Sequence, residues 1–456
     1  MEINAIEKDS VAQKIALLLI FSIFIAGSIF VSMNLQPGIA PDEKHHFSFS
    51  MYYSKTWSIP EDSAETIVTG WVVRGSPFLY YWLNGRIINI VTVVTPAVSE
   101  WHLLVILRLM NVAFATASMA ILYLTSKEMI KNHWLRLLPI LLLANTLMWV
   151  FLAGAVSYDN LANLLSFAAI LFFVRALKDA VFHKNAWLWI IMIALGCLVK
   201  YTILPLAVLM VLVWAITGQL KKQVVEIRTA WSERRSGLII AAVLLTIVVV
   251  ALYGSNVLMF RKVIPACADV LDSATCELDP MLARYRNMAL PEKLTIAESI
   301  EQGYPNPLEY IFYSWIPNML YRIYGILAHK SYFPSHIIII FYLLHAWYCL
   351  LGFKYFEESS MLSRGLTFIL FFYAGILLVM NYRNELVYGF KQIAMQGRYI
   401  FPLIGVAYIM MAKILGVVRS KIIGGITASL TILLFIASGP IKFFLYKNTI
   451  FLDWFH

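Results

Sequence analysis

Apolar residues in this chain come in long unbroken runs. They show neither the three-and-four spacing of an amphipathic surface helix nor the alternation of a half-buried strand. Runs close to the roughly 20 residues that cross a bilayer fall at about 14–33, 103–124, 135–153, 159–176, 186–199, 201–218, 237–257, 336–353, 364–380, 399–415 and 421–438. The pattern predicts an all-α, polytopic transmembrane bundle of eleven spans. The fifth run is short, and the stretch 78–95 reads either as a twelfth span or as a helix lying on the membrane surface.

Basic residues set the expected orientation. Lys8 and Lys14 precede or open the first run, Lys127, Lys131 and Arg136 follow the second, and Arg175, Lys178 and Lys184 follow the fourth. Lys221, Lys222, Arg228, Arg234 and Arg235 follow the sixth, and Lys413, Arg419 and Lys421 follow the tenth. With eleven spans and a cytoplasmic N-terminus, all of these fall on the cytoplasmic side. Two long loops, 34–101 and 258–335, then lie outside with a shorter one at 381–398 and the C-terminal tail. The first run is too long for a signal-peptide core and lacks a small-residue cleavage site, so it reads as a retained anchor in a single membrane domain, 1–456.

Composition agrees. The chain is 61% hydrophobic and 14% charged, with a mean hydropathy of +0.75, too little charge to cover a soluble globule of this length. The net charge of +10 comes from the basic clusters between spans, not from a stripe interleaved with aromatics, so no nucleic-acid partner is expected. Of four cysteines, Cys197 and Cys349 lie within apolar runs and read as inert core thiols. Cys267 and Cys276 share one polar loop; they read as a disulfide if that loop is extracytoplasmic, and otherwise as free thiols.

Candidate chemistry gathers on the loop side. After the first span comes Pro41-Asp42-Glu43-Lys44-His45-His46. A helix with Pro41 at its first position would set Asp42 and His46 four apart on one face. A carboxylate and an imidazole so placed can take a proton from a hydroxyl; the alternative is a helix start capped by two acids, with His46 in water. Further along the loop, Arg74 precedes a Gly75-Ser76-Pro77 turn and the aromatic run Phe78-Leu79-Tyr80-Tyr81-Trp82. A guanidinium there can clamp a phosphate or simply reach lipid headgroups.

Tyr158-Asp159-Asn160 sits at the outer end of the fourth span, where Asp159 reads as a helix cap or a site carboxylate. Lys200, in Lys200-Tyr201-Thr202, stands between two apolar runs with no loop to solvate it; it reads as a functional cation or a snorkelling one. Gln396-Gly397-Arg398-Tyr399 brings a further cation to the same boundary. There is no nucleotide loop, Cys/His metal array or serine-hydrolase elbow.

Together these motifs resemble the GT-C class of membrane glycosyltransferases, in particular bacterial membrane proteins with a P-D-E-x-x-H signature, here Pro41, Asp42, Glu43 and His46. Pro77-Phe78-Leu79-Tyr80-Tyr81 partly matches that family's Pro-Pro-Leu-Tyr-Tyr string, with Ser76 at the first proline, and Lys200-Tyr201-Thr202 and Gly397-Arg398-Tyr399 match two shorter elements. Serotype-converting phage glucosyltransferases are similar in size and topology. The resemblance implies a polyprenyl-phosphate (undecaprenyl-phosphate) sugar donor, membrane lipid around it, and an envelope glycan such as O-antigen, or a lipid, as acceptor. It implies a multi-pass protein of the bacterial inner membrane with its site facing the periplasm, Asp42 as base and Glu43 as the alternate, and no cofactor or metal. Arg74, Lys200 and Arg398 would hold the phosphate. Tyr80, Tyr81, Tyr158, Asp159, Asn160 and Tyr399 would line the substrate site. Two other readings stand beside this one: a polymerase or ligase acting on pyrophosphate-linked glycans such as O-antigen, and a transporter or lipid flippase, for which mid-span charges and broken helices would be expected.

Overall fold

The computed structural model describes residues 10–69, 72–178, 184–219, 237–327, 330–331, 335–392, 395–445 and 453–455. Lys8 and the basic cluster from Lys221 to Arg235 lie outside them.

The chain is a bundle of helices: α1 (Val11–Asn34), α2 (Glu43–Ser54), α3 (Ala64–Val68), α4 (Leu79–Val94), α5 (Glu100–Met129), α6 (Leu138–Ala144), α7 (Leu147–Ala153) and α8 (Tyr158–Lys178) come first. Then follow α9 (Asn185–Val199), α10 (Leu204–Ile216), α11 (Gly237–Phe260), α12 (Ser335–Glu358), α13 (Met361–Tyr388), α14 (Phe401–Val417) and α15 (Lys421–Ser438). Short helices and π-helical turns fill the loop between α11 and α12. Strand structure among the described residues is limited to a two-residue antiparallel pair, Ile326–Leu327 with Lys330–Ser331, and a single bridge from Leu35 to Phe455.

Eight of the described helical segments are long and apolar enough to cross a membrane, so the protein is multi-pass. The run at 135–153 is not one straight span: α6 and α7 meet at 65°. The break falls at Asn145 and Thr146, whose side chains bond back to Leu141 O and Leu142 O, carbonyls that also accept Asn145 N, so the helix end is well satisfied where the chain turns. α9 and α10 are shorter apolar helices. The ambiguous stretch 78–95 forms α4, 16 residues long and not among the spanning helices. It packs on α2 through Gly85, where a Cβ would lie 2.6 Å from Tyr53 C, so only glycine permits this approach.

The charge pattern has a structural counterpart. Glu128 at the end of α5 holds Arg175 at 3.0 Å and Lys178 at 2.8 Å at the end of α8, which puts the basic clusters after these two helices on one side. At the opposite end, Gln36 N donates to Trp454 O (2.8 Å), and the Trp454 ring is buried among Val31, Leu147 and Phe151. The described end of the tail therefore lies on the same side as the start of the first loop. Cys349, expected in the core, is exposed on α12, a helix whose residues His336–Phe353 are long and apolar enough to cross a membrane; Cys197 is buried. Cys267 and Cys276 form a disulfide that packs on Ile67 and Val72, tying the second long loop to the first.

Candidate active site

Three helices begin the same way: a 3-10 turn runs directly into an α-helix carrying proline in its first two positions. Proline fits there because that N–H has no intrahelical partner and its φ is already helical. Two of these turns carry the candidate cations. Lys200 precedes Tyr201–Ile203 at the head of α10, and Arg398 lies in Gly397–Ile400 at the head of α14. The Tyr373 hydroxyl of α13 lies 3.1 Å from both Thr202 O and Tyr399 O, so one phenol ties the two turns together.

Cations at helix N-termini oppose the helix dipole, and two carboxylates offset them. Asp159, in the first turn of α8, is ion-paired to Lys200, and its other oxygen lies 3.5 Å from Arg398 Nε. Arg398 Nη2 reaches on to the Asp42 carboxylate. The result is a chain of alternating charge, Lys200–Asp159–Arg398–Asp42, assembled from four segments. Lys200, Asp159 and Arg398 are almost completely buried, whereas the Asp42 side chain keeps 32% of its surface open. Tyr158 and Tyr399 face the Lys200 ammonium at 4.8 and 4.7 Å, adding cation–π attraction. The Asp159 carboxylate thus faces these two cations from the first turn of α8, and its backbone N–H is taken by Ser157 Oγ at 3.3 Å.

The first-loop motif folds differently from its sequence expectation. The helix starts at Glu43, not Pro41, and Asp42 is its N-cap residue in the left-handed region (φ 59°) with no capping bond from its side chain. Aspartate tolerates that region better than most residues, at a cost of about 1 kcal/mol. The reason for the shift is electrostatic: the carboxylate is engaged by Arg398 instead of the helix end.

The neighbouring acid turns the other way. Glu43 is fully buried and receives Arg108 Nε at 2.8 Å and Arg108 Nη2 at 2.6 Å, plus Val156 N at 3.0 Å. Arg108 Nη1 also donates to Leu35 O at 2.6 Å. This pair anchors the start of α2 to α1, α5 and the α7–α8 connection. Arg108 escaped the sequence reading, although a lone charge inside an apolar span is a readable signal.

His46 is buried in the first loop's aromatic cluster. Its Nδ1 lies 2.9 Å from Tyr81 OH, and its ring meets Tyr158 edge-on at 4.5 Å. Burial pushes its pKa down to about 3, so the imidazole stays neutral at ordinary pH. Tyr80 OH accepts from Asn111 Nδ2 at 3.0 Å, and Asn160 Nδ2 donates to Asn111 Oδ1 at 3.0 Å. Tyr80 and Asn160 therefore build the wall behind the charges. Arg74 is exposed, and no ion pair among the described residues joins it to the cluster; its N–H is held by Asp62 Oδ2 at 2.9 Å. No described group of three or more His, Cys, Asp or Glu side chains could hold a metal ion.

No protein-family model matches the sequence, and no curated protein sequence does. Solved structures do match its fold. The oligosaccharyltransferase of Archaeoglobus fulgidus, tethered to an acceptor peptide with the NVT sequon, is 12% identical with a TM-score of 0.50, over 94% of this chain and 55% of that one. The same organism's AglB, in complex with an inhibitory peptide and a dolichol-phosphate, is 12% identical with a TM-score of 0.49, over 95% and 56%. ArnT from Cupriavidus metallidurans bound to undecaprenyl phosphate is 11% identical with a TM-score of 0.49, over 95% and 65%. The fold is that of the GT-C class of membrane glycosyltransferases. The chain spans 55–65% of the length of these three structures.

Proposed function

We propose that this protein is a bacterial inner-membrane glycosyltransferase that moves a single sugar, a hexose, from a polyprenyl phosphate to an envelope glycan or lipid on the periplasmic side. The observation that carries the reading is the partly open Asp42 carboxylate at the end of the buried Lys200–Asp159–Arg398 chain. Arg398 Nη1 is buried without a hydrogen-bond partner, and Nε has only its 3.5 Å approach to Asp159 Oδ2, a costly arrangement that an incoming anion at Nη1 relieves.

In the proposed step, an acceptor hydroxyl attacks the anomeric carbon. The new carbon–oxygen bond forms as the bond from that carbon to the phosphate oxygen breaks, and the electron pair leaves with the polyprenyl phosphate. Asp42 takes the hydroxyl proton, and Arg398 and Lys200 offset the growing phosphate charge. A phosphate is already a good leaving group, so the paired carboxylic acid of a glycosidase is not required. Engagement of Arg398 by phosphate would weaken its hold on Asp42 and raise that carboxylate's basicity as the donor arrives. Arg74, being exposed, fits first contact with the lipid headgroup better than the reacting phosphate.

The test is expression of the native chain and of Asp42→Asn in a bacterium lacking the gene, with surface polysaccharide read by mass spectrometry. The expected result is a one-hexose gain with the native chain and none with the variant. A gain that persists in Asp42→Asn removes Asp42 as base. A gain of whole repeat units replaces single-sugar transfer with the polymerase or ligase reading, which the oligosaccharyltransferase fold also accommodates.

A further inference from the structure

A second polar cluster lies behind the Arg398 turn, where the second long loop meets the end of α13. Glu385 is 1% exposed; its Oε2 accepts Gln392 N at 3.0 Å, while its Oε1 has no hydrogen-bond partner. Three further buried polar atoms share that condition: Tyr310 OH, Tyr382 OH and Arg322 Nε. They stand close together. The Tyr310 and Tyr382 rings are 5.0 Å apart, and both Tyr310 and Arg322 lie within electrostatic reach of Glu385. Leaving four such atoms unmatched costs on the order of 1–3 kcal/mol each.

The backbone beside them is held in an unusual shape. Gly389, Phe390 and Gln392 have φ values of 65°, 57° and 53°. Only the first is a glycine, so strain is retained at two side-chain-bearing residues. This shape returns Gln392 N to Glu385 and sets the Phe390 ring 6.1 Å from Tyr310 and 4.7 Å, stacked, from Tyr304. Trp315 is fixed nearby, its Nε1 donating to Asn381 Oδ1 at 3.0 Å. Glu385, Tyr310 and Trp315 are buried, and Arg322, Tyr382, Phe390 and Tyr304 around them are half-buried. The cluster also adjoins the reaction centre: a Cβ on Gly397 would lie 2.7 Å from Arg322 C, so the backbones of Arg322 and the Arg398 turn touch.

We propose that Glu385, Arg322, Tyr310 and Tyr382 form a hydroxyl-binding subsite for a pyranose ring. A carboxylate accepts from ring hydroxyls, a guanidinium donates to them, phenols do either, and aromatic faces cover the C–H side of a sugar. A lipid tail would leave the four polar atoms unmatched, and a phosphate would meet the Glu385 charge. The inference takes its substrate class from the transferase reading. Donor and acceptor present the same ring chemistry, so either could supply it.

The test is saturation-transfer-difference NMR on the full chain in nanodiscs, with methyl hexopyranosides of glucose, galactose and mannose as probes. The expected result is transfer to at least one probe, weakened about tenfold or more in Glu385→Gln and in Tyr310→Phe by loss of one hydrogen bond, and retained in Asp42→Asn. Tyr310→Phe removes only a hydroxyl, so it keeps the test sound if Glu385→Gln folds poorly. No transfer to the native chain, or equal transfer in both variants, overturns the subsite. Loss of transfer in these variants, in a protein that glycosylates nothing, would sustain the subsite and sink the transferase reading. In turnover, a rise in KM for the donor alone or for the acceptor alone identifies which ring it holds.

Discussion

Arg398 and Asp42 stand 356 positions apart in the chain and share one ion pair, in which a buried guanidinium holds a carboxylate that still touches solvent. Arg398 lies between two carboxylates, so its geometry matters as much as its charge. Arg398→Lys keeps the charge but cannot span Asp42 and Asp159 with a rigid fork. The expected outcome is a loss of about 100-fold in single-turnover rate, with the melting temperature in detergent changed far less than in a fold-breaking variant.

Adjacent acids should separate cleanly. Glu43→Gln leaves the Arg108 charge buried without its partner, an arrangement that costs about 3–5 kcal/mol. Thermal unfolding should show that loss for Glu43→Gln and little change for Asp42→Asn, while transfer activity is abolished in Asp42→Asn. Equal melting temperatures for the two variants would contradict the assignment of Glu43 to the scaffold.

Gly397→Ala drives a methyl group into the backbone of Arg322 and Ile323, at 2.7–2.8 Å. Neither backbone can yield cheaply, so the Arg398 turn must move. Activity should fall at least about tenfold, since small misplacements of reacting groups are amplified in rate. The measurement is kcat against KM in reconstituted vesicles, with kcat the more affected.

His46 binds its proton near pH 3 when folded and near 6.5 when unfolded. Between those values the unfolded chain holds the extra proton, so stability falls as pH drops from 6.5, by about 1.4 kcal/mol per pH unit from this group. Melting curves from pH 7 to 4.5 should show this slope, reduced in His46→Gln. The imidazole itself should add no step to the rate profile between pH 6 and 8.

Cys267 and Cys276 close a loop of sequence separation 9, for which the entropic contribution is about 2–3 kcal/mol. Thiol alkylation with mass detection should label neither cysteine before reduction and both after it. Reduction should also increase protease cleavage across 258–300, since the bridge packs this loop onto Ile67 and Val72.

The bundle was legible in the sequence because hydrocarbon admits few backbone solutions: runs near 20 apolar residues must become helices, and basic clusters mark one side. Every long run is helical, and where one departs from a single straight helix the cause is local. The run at 135–153 is apolar enough overall to read as one span, and that average hid the bend at its polar pair, Asn145 and Thr146. Pro41 suggested a helix start, but a contact from Arg398 outside the local window decided Asp42's conformation. Asp42, Asp159, Lys200 and Arg398 were each readable as charges at span ends, where burial makes a charge informative. Their order in one chain of ion pairs was not readable, because it depends on which helices are neighbours. The same holds for Glu43 and Arg108, where neighbouring carboxylates point to different partners. Glu385 gave no motif at all; its setting comes from left-handed backbone at Phe390 and Gln392 and from a loop that returns beside it. Sequence by itself determined that the chain is a multi-pass helical bundle, since that depends on local transfer energy. Only the tertiary structure decided which charges meet, since that depends on packing between segments hundreds of residues apart.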